Sequence, residues 1–153
     1  MRFTTLFTAL FICLPLLTGC KQDNPFGTVY VEGTVTLDGT PIQGVSVTFN
    51  PRDGDLVAGG MTDVGGKFRV QTGGAPIGSG AKPGVYDVTF HKAVIEGADL
   101  SMEESIAKYG GQQPPVVYII PQKYENPKTS ELEPITVDAD RKKNSFTFDL
   151  KSE

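Results

Sequence analysis

The sequence predicts an all-β domain: an antiparallel Greek-key sandwich of seven or eight short strands with one short helical insertion. Three observations lead there. Eighteen Gly and eleven Pro punctuate 153 residues, which marks frequent turns. The segments between them are rich in Val, Thr, Phe and Tyr, the residues that suit a pleated, half-buried surface. Several of those segments alternate apolar and polar residues with a period of two, which puts one face of a strand on a core and the other in water.

The first strand is read over residues 28–37, where Val29, Val31, Val35 and Leu37 share one face with Gly33 between them. Tyr30, Glu32, Thr34 and Thr36 share the other. Asp38-Gly39 makes the turn, and Val45, Val47 and Phe49 give a second strand its inward face before Asn50-Pro51 ends it. A weaker third strand covers 56–62. Asp63-Val64-Gly65-Gly66 supplies an Asx acceptor and residues free to take positive φ, a tight-turn composition. The fourth strand, 67–72, points Phe68 and Val70 inward. A Gly-rich loop over 73–82 follows, and Pro83-Gly84 opens a fifth strand with Tyr86, Val88 and Phe90 on one face.

Residues 97–111 break the pattern. Ser101-Met102-Glu103-Glu104 fits a capping box. Met102, Ile106 and Tyr109 form a thin apolar stripe, and Gly110-Gly111 stops the helix. After Pro114-Pro115, the apolar run 116–120 reads as a buried strand. Two last strands, 133–138 and 144–150, close the domain, with Phe146, Phe148 and Leu150 facing inward. Alternating strands in these numbers pack most economically as two sheets face to face.

Ahead of this domain stands a different kind of segment. Met1-Arg2 carries one positive charge, residues 3–17 are almost wholly apolar, and Leu17-Thr18-Gly19-Cys20 follows. Fifteen residues at about 1.5 Å rise cover about 22 Å, short of a bilayer core of about 30 Å. A basic start, a short apolar stretch and a small residue at the cut site describe a secretory signal. The tetrad resembles the lipobox of bacterial lipoproteins. That resemblance implies a signal peptide over 1–19, cleavage before Cys20, a diacylglycerol on its thiol, and an envelope protein held to a membrane by its lipid. Lys21, rather than aspartate, follows the cysteine; by the sorting rule of proteobacterial lipoproteins this points to the outer membrane. Residues 20–27 are then the lipidated cysteine and a short tether, and the domain is 28–153.

Cys13 and Cys20 are the two cysteines. The first leaves with the signal and the second is acylated, so neither a disulfide nor a thiolate site is expected. Removing the first 19 of 153 residues leaves 134, an ordinary single domain. Loss of Arg2 takes the formal charge from −4 to −5. A weakly acidic chain is a poor partner for nucleic acid, whose phosphates need clustered cations. Arg141-Lys142-Lys143, beside Asp138 and Asp140, reads as a solvated turn rather than a lipid-headgroup patch.

The domain itself resembles carboxypeptidase-regulatory-like, or transthyretin-like, β-sandwich domains. The resemblance is carried by Val31-Glu32-Gly33-Thr34-Val35-Thr36-Leu37-Asp38-Gly39-Thr40-Pro41-Ile42-Gln43-Gly44-Val45, by Thr62-Asp63-Val64-Gly65-Gly66-Lys67-Phe68 and by Lys82-Pro83-Gly84-Val85-Tyr86-Asp87-Val88. Ile120-Pro121-Gln122-Lys123-Tyr124, Thr129-Ser130-Glu131-Leu132 and Phe146-Thr147-Phe148-Asp149-Leu150 look like the tail of small envelope lipoproteins of planctomycete-type bacteria. Together these segments span about residues 28–150. The fold hosts many functions, so the likeness speaks to architecture.

Catalysis is not expected. The hydroxyisourate hydrolases that resemble transthyretin use several histidines and a Tyr-Arg-Gly-Ser tail, whereas this chain has one histidine and ends Leu150-Lys151-Ser152-Glu153. His91, at a strand end, has no second histidine for metal or acid–base work, and Gly78-Ser79-Gly80 lacks nucleophile-elbow spacing. Neither a cofactor nor a metal is expected. Asp53-Gly54-Asp55 and Asp138-Ala139-Asp140 offer oxygens but not the six to eight converging ones calcium takes, and turn roles suit them better. Sugar platforms favour flat aromatics; with Trp absent, Tyr30, Tyr109, Tyr118 and Tyr124 stand as candidates. The expected work is therefore interaction with an envelope protein or polymer, with glycan binding second and a hydrolase third. An uncovered sheet edge or large apolar patch would favour a protein partner.

Overall fold

The computed structural model describes residues 26–54 and 56–153. The signal segment 1–19, Cys20 and the rest of the tether to residue 25 lie outside the described residues, as does Asp55.

The fold is mostly β-sheet with one short helix, and its core lies between two sheets. The first holds β1 (Glu32–Leu37), β2 (Thr40–Pro41), β5 (Lys67–Arg69) and β11 (Ser145–Leu150). The second holds β3 (Ser46–Pro51), β4 (Ala58–Met61), β6 (Gln71–Thr72), β7 (Gly84–His91) and β10 (Ile135–Val137), in the order β10-β7-β3-β4-β6. The inward residues that alternation marks do meet. Val35, Phe68, Phe148 and Leu150 from one sheet, Val31 just ahead of β1, and Val47, Phe49, Tyr86, Val88 and Phe90 from the other sheet form one buried cluster. Aromatic rings stitch the layers: Phe49 lies 6.1 Å from Phe68, and Phe90 stands edge-on to Phe148 at 4.9 Å between centroids, a geometry the ring quadrupoles favour.

Three details differ from the reading of the sequence. Among the described residues eleven strand segments replace seven or eight, because turns and irregular residues interrupt the longer runs and leave some pieces of only two or three residues. The first strand begins at Glu32; Val29 upstream makes a separate bridge to Ala81. And β1 pairs with β11 in parallel, Glu32 beside Ser145 through Leu37 beside Leu150, within otherwise antiparallel sheets. A pair joining the beginning of the domain to its end has no turn to set its direction.

The Asp63–Gly66 turn is a structural device. Asp63 Oδ1 accepts the N–H groups of Gly65 (2.8 Å) and Lys67 (2.9 Å), closing the β4–β5 turn. Gly66 takes φ +71° where a Cβ would stand 2.5 Å from the Val35 carbonyl oxygen, a place open to glycine alone.

The sandwich has two distinct ends. The Val29–Ala81 bridge, Gly84 at the start of β7, and Asn144 donating to the Tyr30 carbonyl (3.4 Å) lie together where the chain enters. The ends of β1, β7 and β11 lie at the other: Leu37 beside Leu150, Tyr124 Oη accepting from Lys151 N–H, and His91 facing Glu125. Eight residues of β7 put about 26 Å between them.

Candidate functional site

At the end remote from chain entry, β7 runs directly into an arm. β8 (Ala93–Ile95) leaves the sandwich, α1 (Met102–Tyr109) follows, and β9 (Val116–Tyr118) returns. The base is closed by Lys92, whose carbonyl oxygen accepts N–H groups from both Ile119 (2.9 Å) and Ile120 (3.2 Å), while its Nζ donates to the Gln43 carbonyl (2.6 Å).

The helix forms as its sequence dictates. Ser101 Oγ accepts the Glu104 N–H, and the Glu104 carboxylate accepts the Ser101 N–H (2.9 Å), a complete capping box. The Ser101 hydroxyl, at 2.7 Å from the same carboxylate, and then the Ser101 N–H hold the Glu104 carboxyl below its ordinary pKa. Gly110 ends the helix in the left-handed region at φ 63°. Yet no residue of α1 is buried. It is tied to the ribbon through Tyr109 Oη, which donates to the Glu96 carbonyl (3.1 Å), and through the Lys108–Glu96 ion pair (3.0 Å).

The ribbon corrects the sequence reading. The run 116–120 reads as a buried strand, but only Ile120 is buried; Val116, Val117 and Tyr118 are exposed. The register sets Ile95 beside Val116 and Val94 beside Val117, so one face carries Ile95, Val116 and Tyr118 and the other Val94 and Val117. Both faces are open, and β8 and β9 pair only with each other among the described strands. An apolar run signals burial only where a second layer covers it, and no layer of the described chain does. The helix adds Met102 (80% exposed) and Ile106 (55%) to the same arm.

The β9 edge is also unguarded. Pairs 92–119, 94–117 and 96–115 point their hydrogen bonds inward, so the N–H and C=O groups of Val116 and Tyr118 face outward. Residues 112–122 carry no charge. Natural edges are blunted by charge or proline; here Pro114, Pro115 and Pro121 flank the exposed strand but do not enter it.

The remaining candidates resolve individually. Tyr124 is buried, with its hydroxyl accepting from Lys151 N–H (2.9 Å), and so cannot present a ring to a sugar. Tyr30 is half-buried: its hydroxyl donates to Glu32 (2.7 Å), which raises its pKa, and the Arg69 guanidinium lies 6.0 Å over its ring. Tyr109 is half-buried against the arm, and Tyr118 alone of the four is exposed. His91 Nδ1 meets Glu125 Oε1 at 2.7 Å, both partly exposed, with Tyr118 edge-on to the imidazole. Asp138 Oδ1 accepts the Asp140 N–H (2.8 Å), which holds its carboxyl below the ordinary range with help from Lys143; Asp140 caps the 3-10 turn Arg141–Lys143 through Lys142 N–H (3.1 Å). These carboxylates serve turns. Among the described residues no group of three or more His, Asp, Glu or Cys side chains is placed to hold a metal ion.

A groove of about 640 Å³ lies across β1 and β5, lined by Glu32, Asp63, Lys67, Phe68 and Arg69 among others. It holds charges of both signs beside the hydroxyls of Thr34 and Ser145, and His91 does not line it.

No protein-family model matches the chain, and neither a curated protein nor a solved structure matches it.

Proposed function

We propose that this chain is a non-catalytic, lipid-anchored protein of the bacterial cell envelope, with a transthyretin-like sandwich, that binds a partner protein through the β8–α1–β9 arm. The observation that carries the reading is the arm: apolar on both ribbon faces, edged by an uncharged strand, and uncovered by the rest of the described chain. Contiguous exposed apolar surface of this kind marks an interaction site, and an open strand edge accepts a partner strand by main-chain pairing. Attachment through Cys20 accords with the arm's position, since the chain enters at the opposite end of the sandwich. The lipobox resemblance supports the anchor and Lys21 the outer membrane.

Crosslinking the native protein in intact envelopes, with captured proteins and glycans both identified, tests the reading. One enriched protein, lost in a Val117→Glu variant, is the expected result. Polysaccharide without protein would replace this reading by a glycan-binding one centred on Tyr118. The anchor has its own test: Cys20→Ser should abolish acylation and release the protein from membranes or leave uncleaved precursor. Unchanged processing and detergent partitioning would refute it.

A further inference from the structure

Among the described large apolar side chains the most exposed is not on the arm. Ile77 is 94% exposed and sits at the tip of the loop between β6 and Gly80, at the end where the chain enters. The loop stands on a firm base. Thr72 Oγ1 donates to the Gly80 carbonyl (2.9 Å), and Gly80 N–H donates to the Val70 carbonyl (2.9 Å). Ala81 then exchanges two hydrogen bonds with Val29, at 2.8 and 3.0 Å. At Gly80 a Cβ would stand 1.7 Å from the Val29 carbonyl oxygen, so the loop base and the entering chain are pressed together. Ile77 is thus displayed beside the point from which the polypeptide leads back to Cys20.

The distance is short. Cys20 stands six residues before Phe26, the first described residue, a reach of at most about 21 Å. Cations stand at the same end. Lys82 is exposed next to the bridge, and Arg141 and Lys142 are exposed beside Asn144 with no ion pair among the described residues. The neighbouring acids Asp138 and Asp140 are engaged, the first with Lys143 (3.1 Å) and the second in its cap, and Glu32 accepts from the Tyr30 hydroxyl (2.7 Å) in the hollow it shares with Arg141 and Lys142; Glu32 and Asp53 remain as counter-charges.

We infer that this end of the sandwich rests on the bilayer that holds the Cys20 acyl chains, with Ile77 entering the interface and Lys82, Arg141 and Lys142 meeting headgroup phosphates, which reverses the sequence reading of 141–143 as a solvated turn alone. The inference rests on the reading of Cys20 as lipidated. The acyl chains supply attachment; Ile77 and the cations supply orientation, since an apolar side chain and basic groups together favour the interfacial zone. The domain then stands upright and the arm is carried a sandwich length clear of the membrane, where a partner can reach it.

The chain contains no Trp, so single-tryptophan variants report without background. The full-length protein, processed in cells, is reconstituted into phosphatidylethanolamine–phosphatidylglycerol vesicles with brominated acyl chains, as Ile77→Trp and as Val117→Trp. Both positions are exposed, so neither change disturbs the core. An interfacial side chain lies about 5–10 Å into the headgroup boundary, and quenching of Ile77→Trp is expected to exceed that of Val117→Trp by at least about twofold. Equal or weaker quenching of Ile77→Trp, in protein that floats with the vesicles, would overturn the orientation while leaving the anchor standing. Protein that fails to float, and carries no acyl mass on Cys20, would overturn the anchor and this inference with it.

Discussion

Asn144 closes a two-bond ring with the backbone of Asp138. Its Oδ1 accepts the Asp138 N–H and its Nδ2 donates to the Asp138 carbonyl, both at 2.8 Å. The same Nδ2 reaches the Tyr30 carbonyl at 3.4 Å. One buried amide thereby joins the end of β10, the start of β11 and the entry to β1. An amide alone offers donor and acceptor in this spacing. Asn144→Ala strips the partners of a nearly inaccessible side chain and should cost about 2–4 kcal/mol. Asn144→Asp loses the donor and should be no better at neutral pH. Urea unfolding of the isolated variants checks both; a loss below about 0.5 kcal/mol, the usual surface effect, would show that the ring is not structural.

Gly33 gives a second prediction. It lies in β1 opposite both Phe68 and Phe146. A Cβ there would stand 2.5 Å from the Phe146 carbonyl oxygen and 2.6 Å from the Phe68 ring. The strand carries a glycine among valines because the Phe68 ring occupies the place of a side chain. Gly33→Ala must displace backbone or a core aromatic and should cost about 2–3 kcal/mol. Gly27→Ala tests specificity only at the level of φ, since nothing lies within 4 Å of it; the two changes should differ clearly in denaturation midpoint.

These residues show what the sequence discloses and what it withholds. Alternation located β1, β3, β7 and β11 and most of the core, because each has one wet face and one dry one. The Ser101–Glu104 capping box and the Gly110 stop located α1, since local hydrogen bonds decide a helix terminus. Asn144 carries no such mark: its burial depends on three segments meeting, and it reads simply as the polar start of the last strand. The parallel β1–β11 pairing is hidden for the same reason. In the arm the apolar run 116–120 reads as buried, yet of it only Ile120 is. Composition reports that a surface avoids water, not which molecule covers it. Tyr124 errs in the other direction, a tyrosine whose hydroxyl finds a backbone partner inside.

Acid should loosen the join between β11 and the β1–β2 turn. The Asp149 carboxylate meets Lys151 Nζ, accepts from Thr36 Oγ1 (2.7 Å) and accepts the Gly39 N–H (2.8 Å). These contacts, the lysine's first, lower its pKa from 3.8 to about 2. A carboxyl depressed on folding binds protons more readily when unfolded. Its stabilisation is complete above the unfolded value and disappears as pH falls through the folded one. Wild type should therefore lose stability relative to Asp149→Asn between pH 3.8 and about 2. Thermal melts of the pair across that window check it, and taking the difference removes the other carboxylates. A pH-independent difference would mean that Asp149 gains nothing from its charge.

The arm should be separable from the fold it stands on. Val117 is exposed, pairs only with Val94, and lies outside the buried cluster. A charge placed there meets water, so Val117→Glu should change unfolding stability by no more than about 0.5 kcal/mol. The same charge would sit in the middle of an otherwise uncharged edge and guard it, as natural edge strands are guarded. Partner capture should therefore fall while the denaturation midpoint stays in place. Ile120 is the contrast. It lies three residues further on, is buried at the arm's base, and its N–H is bound to Lys92. Ile120→Ala should cost about 2–4 kcal/mol through the cavity it leaves. If Val117→Glu destabilised the protein as much as Ile120→Ala, the ribbon would be part of the core's support rather than a surface held out for another molecule.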